Sequence, residues 1–80
     1  MKTHIVAIFN HHEGTNKVYI VLAETEVEAA KKALIENCEE QYRTQDYKDW
    51  VEGLGDTLEK ITDNAHQGEL VLSNVVSIQS

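Results

Sequence analysis

The chain reads as a single α+β domain: a ββααβ arrangement in which a three-stranded, mainly antiparallel sheet carries two or three helices. Three observations predict this. Two runs rich in β-branched residues near the start are separated by turn residues, a helical hydrophobic period occupies residues 25–65, and a last β-rich run follows. Eighty residues accommodate one domain, 1–80, and no second one.

The first two runs are residues 3–10 and 17–23, and the stretch 11–16 between them holds Gly14 and Asn16, which suit a turn. They are expected to form a hairpin with a loop longer than two residues. Residues 69–79 are the expected third strand, with a bulge or bend at Ser73–Asn74. Whether it docks beside the first or the second strand is left open by the spacing.

Thr25-Glu26-Val27-Glu28 matches a capping box, in which the Thr hydroxyl and a Glu carboxylate satisfy free backbone donors at a helix start. Val27, Ala30, Leu34, Cys38 and Tyr42 follow at spacings of three and four, one apolar stripe. A second helical stretch places Tyr47, Trp50, Val51, Leu54, Leu58, Ile61 and Ala65 on one face, with Trp50 and Tyr47 as expected core anchors. Gly53 and Gly55 interrupt it, and Asp56 with Glu59 offers a fresh cap, so one kinked helix and two successive helices are both compatible.

Strand alternation puts Ile5, Ala7, Phe9, Val18, Ile20, Leu22, Leu70, Leu72, Val76 and Ile78 on one face. Val6, Ile8, Tyr19, Val21, Val71 and Val75 fall on the other, interleaved with His4, Ser73 and Ser77. Both faces are apolar, whereas a sheet with one wet face alternates apolar with polar. Either the helices lie on opposite faces or another chain buries one of them. In the second case Val6, Ile8, Tyr19, Val21, Val71 and Val75 form a dimer or partner surface, most simply a two-fold homodimer.

Seven basic residues stand against fourteen acidic ones, a formal charge of −7. That balance disfavours direct contact with nucleic acid or an anionic membrane and is compatible with a basic protein partner or simply with solubility. The excess is concentrated: between Glu36 and Asp63, nine acids (Glu36, Glu39, Glu40, Asp46, Asp49, Glu52, Asp56, Glu59, Asp63) meet only Arg43, Lys48 and Lys60, a local net of −6. From Asp46 onward the acids recur every three or four residues, so a continuous helix would carry them as one stripe with carboxylates about 5 Å apart along the axis. Such a row would imitate phosphate spacing for the basic groove of a nucleic-acid-binding effector, or is simply the solvated polar face of an amphipathic helix.

Catalytic and metal chemistry find no support. His11-His12-Glu13 lies in the hairpin loop, where adjacent side chains on an extended chain diverge rather than converge on a metal. Cys38 sits in an apolar stripe, a core position rather than an activated nucleophile. Gly14-Thr15-Asn16-Lys17 lacks the strand–loop–helix setting and Gly-Lys-Ser/Thr core of a phosphate loop. No cofactor is implied. One cysteine, and no long apolar segment or cleavage signal at the start, point to a cytoplasmic protein.

In size, acidity and α+β pattern the chain resembles small phage inhibitors of host defence, such as anti-CRISPR and anti-restriction proteins. The likeness is one of bulk character and rests on no motif, so no functional residue is carried over. The expected function is therefore a non-enzymatic inhibitor that occupies a basic nucleic-acid-binding surface through the nine acids. The alternative is a homodimeric accessory module with no role for the acidic face.

Overall fold

The computed structural model describes residues 1–78. Strands β1 (Lys2–Asn10) and β2 (Thr15–Ala23) form an antiparallel hairpin closed by the Asn10–Thr15 pair, so the loop is four residues long. Helix α1 (Glu26–Asn37) follows, then a 3-10 turn at Glu40–Tyr42, helices α2 (Gln45–Glu52) and α3 (Leu58–Gln67), and strand β3 (Leu70–Ile78). The sheet order is β2-β1-β3, antiparallel throughout, so the third strand docks beside the first. Gln79, the last expected strand position, lies outside the described residues.

Each helix starts on a threonine. Thr25 accepts from the Glu28 N–H, as the capping box requires, and the Glu28 carboxylate reaches back to the Glu24 N–H. Thr44 and Thr57 cap α2 and α3 in the same way, Thr57 taking the role expected of Asp56. The long helical stretch is thus two helices. Gly55 explains the break: its φ of +144° is rarely open to other residues, and a Cβ there would meet the Lys60 side chain at 2.5 Å. Helix α1 ends at Asn37, so Tyr42 leaves the apolar stripe and stands exposed on the 3-10 turn.

Helix α1 packs across all three strands through Ala29, Ala30, Ala33 and Leu34, small residues that let it approach the sheet closely. Helix α3 packs on β3 through Ile61 and Ala65, and α2 leans on α1 through Val51. Beneath them lie Val6 and Ile8 of the central strand, fully buried, with Ala23, Leu70 and Leu72.

This arrangement corrects the expected partner surface. Val6, Ile8, Tyr19, Val21 and Val75 face the helices and belong to the core or its margin. Val71 does not share their face. The cause is a bulge: the β1–β3 register steps from Ala7–Asn74 to Ile8–Leu72, so one extra β3 residue sits between. Simple alternation reverses there. Leu70 and Leu72 turn inward with Val75 and Ser77, and Val71 turns outward opposite Phe9.

Candidate functional site

With the helices on one side, the other face of the sheet is open. The strand registers place twelve residues on it: Thr3, Ile5, Ala7 and Phe9 from β1, Asn16, Val18, Ile20 and Leu22 from β2, and Val71, Asn74, Val76 and Ile78 from β3. Nine are apolar and none is ionisable, in a chain that is 26% charged. Ile20 is 74% exposed, Val18 65% and Leu22 57%, while Val76 and Ile78 stand above 40%. Cross-strand pairing makes the patch continuous, since Ile5 lies between Ile20 and Val76, and Phe9 between Asn16 and Val71. Isolated exposed aliphatics are ordinary on a soluble protein, whereas contiguous apolar patches of more than a few hundred Å² are rare on a solitary domain.

The nine acids occupy the helical layer and its approaches, and all nine are exposed. Their continuity is lost, because the Gly53–Thr57 break separates Asp46, Asp49 and Glu52 on α2 from Glu59 and Asp63 on α3, with Asp56 between the helices. Three are ion-paired: Glu36 with Arg43, Glu52 with Lys31 and Asp56 with Lys60. The Lys60 ammonium, 3.1 Å away, draws the Asp56 carboxyl below the usual range. Glu39, Glu40, Asp46, Asp49, Glu59 and Asp63 form no ion pair among the described residues. Basic residues are meanwhile occupied on helix ends: Lys31 donates to the Glu52 carbonyl and Arg43 to those of Cys38 and Glu36.

A groove of about 510 Å³ opens where the hairpin loop meets the end of α1, lined in part by Asn10, Glu13, Asn37, Cys38, Tyr42 and Tyr47. Its wall contains a relay that sequence reasoning missed. The buried Asn10 amide donates to Asn37 Oδ1 at 3.0 Å, Asn37 donates to the Tyr19 hydroxyl at 2.8 Å, and the Glu13 N–H returns to Asn10 Oδ1. The available signal was polarity at two positions the apolar periods would fill, Asn10 ending an inward-facing strand row and Asn37 three residues after Leu34. These bonds pin the hairpin loop to α1. At the other end of the sheet, buried His4 bridges the Ala23 carbonyl at 3.1 Å and the Ser77 hydroxyl at 3.0 Å.

The two loop histidines have different partners. His11 sets its ring edge-on against Phe9, with centroids 4.6 Å apart, and His12 lies 3.4 Å from the Glu69 carboxylate. No group of three metal-ligating side chains is gathered among the described residues. Burial pushes the Cys38 thiol above its usual range, the opposite of nucleophile activation. No described helix is long and apolar enough to cross a membrane.

Fold and surface together define a two-layer α+β domain with an acidic helical side and an uncharged, apolar sheet side. No protein-family model, curated protein or solved structure matches the chain.

Proposed function

We propose that the chain is a non-enzymatic binding protein whose working surface is the open face of its sheet. The observation that carries this reading is the run of twelve uncharged positions, nine of them apolar, on a face that no helix covers. Burial of such a face is favourable by about 25 cal/mol for each Å² of apolar surface removed from water. The patch supplies aliphatic anchors, with Phe9 at its hairpin end, and Thr3, Asn16 and Asn74 supply polar points at strand ends and on the β3 edge.

A second role for the helical layer is favoured by the six exposed acids free of ion pairs. With the sheet face occupied, that layer is the outward surface, and it would meet a basic partner such as a nucleic-acid-binding effector through charge. The test for both is one affinity purification from the native host with three baits: the natural chain, Ile20→Asp, and a charge reversal at Asp49 and Glu59. Ile20→Asp is expected to lose the partners that the sheet face holds. Charge reversal is expected to lose a separate, salt-sensitive set. An identical set of partners on the natural and Ile20→Asp baits, both folded, would contradict the assignment of the sheet face.

A further inference from the structure

Resting on that reading of the sheet face, we infer that its occupant is a second copy of this chain, bound face to face about a two-fold axis. The first argument is area. Five aliphatic side chains on the face are 42–74% exposed and alone present on the order of 500 Å². The half-buried central-strand residues and the polar margin raise this to roughly 700 Å², close to the ~800 Å² that each partner contributes to a standard stable interface. The open face is therefore comparable in extent to one half of such an interface.

Charge is the second argument. A copy carrying −7 approaches another carrying −7, yet none of the twelve strand residues of the face is ionisable, and the nearest titratable ring, His11 against Phe9, lies at its hairpin end. Sheets packed face to face sit about 10 Å apart, and each helical layer stands about 10 Å further out, so the two acidic layers are roughly 30 Å apart. That exceeds the Debye length of about 8 Å at physiological salt, so their repulsion is screened. Any charge on the face would confront a dimer with its own like charge or demand an opposite one nearby; its absence fits self-association. Two identical right-twisted sheets also pack naturally with strands crossing at about 30°. The assembly is helix–sheet–sheet–helix, with the apolar faces at its centre.

Sedimentation equilibrium of the full chain tests this. The expected result is twice the 9.1 kDa chain mass at about 100 μM, retained in about 1 M salt, as an apolar interface requires. Ile20→Asp and, separately, Val76→Lys are each expected to weaken association by on the order of 100-fold. Both side chains point into solvent away from the core, and circular dichroism checks that each variant folds. A monomer at about 100 μM would overturn the inference. So would a dimer indifferent to both folded variants, which would place the contact elsewhere, for instance at the free edges of β2 and β3. If the chain is monomeric while its purified partners still depend on Ile20, self-association falls and the reading of the face stands.

Discussion

Tyr47 joins two elements through one atom: its hydroxyl donates to the Leu34 carbonyl at 2.8 Å, tying α2 to α1, while its ring lies 5.6 Å from that of Trp50. Burial pushes its pKa up to about 12 from the usual value near 10. Between those values the unfolded chain has lost the phenolic proton and the folded chain has kept it. The unfolded state then binds fewer protons, so stability falls as pH rises from 10 to 12. The stabilisation is fully present below pH 10. Because the ring is only half-buried, the effect is discounted to about 1 kcal/mol. Tyr47→Phe removes the titrating group, so the advantage of the natural chain over this variant should shrink across that window. Urea unfolding at several pH values reads it directly, and an advantage independent of pH would exclude Tyr47 as the titrating group.

At the scale of the element, much of the fold was legible because periodicity is local. The hairpin, the first capping box, the bulge near Ser73–Asn74 and the glycine-interrupted helical stretch were all visible in residue types and spacing. What spacing could not supply was the consequence of two irregularities. The bulge reverses the direction of Leu70, Val71 and Leu72 relative to Val75, and therefore redistributes the two faces. The Gly55 break divides the acidic stripe between two helices. Which face the helices cover is a tertiary choice: both faces were apolar in sequence, and the small alanines of α1 and the inward Asn10 and His4 become informative only once paired. Trp50 is a further case. Helical spacing places it on an apolar face, yet it stands 36% exposed with its ring over Gly68, a contact made across sequence. A Cβ at Gly68 would lie 2.8 Å from the ring, so Gly68→Ala should displace the sole tryptophan towards water. The expected readout is a red-shifted fluorescence maximum with a loss of about 1 kcal/mol. An unshifted spectrum would show that the ring is not seated there.

For the whole molecule, the division of labour between the two sides is the main result. The nine acids from Glu36 to Asp63 and the helix-capping cations occupy the helical side. None of the twelve described residues of the open sheet face is ionisable. That segregation lets a strongly acidic chain associate through an apolar face without bringing its carboxylates together. In the proposed dimer the six acids that form no ion pair among the described residues would face outward, where a basic partner could reach them.

The most direct test asks whether the open face is covered in solution. With isoleucine, leucine, valine and methionine methyl groups labelled, a water-soluble paramagnetic chelate relaxes each methyl signal according to its exposure. Met1, 77% exposed, and fully buried Ile61 supply the two reference limits. At about 100 μM, Ile20, Leu22 and Val76 should be shielded close to the Ile61 limit, and Ile20→Asp should return Leu22 and Val76 towards the Met1 limit. Methyl signals of Ile20, Leu22 and Val76 relaxing as fast as that of Met1 in the natural chain would contradict a covered sheet face.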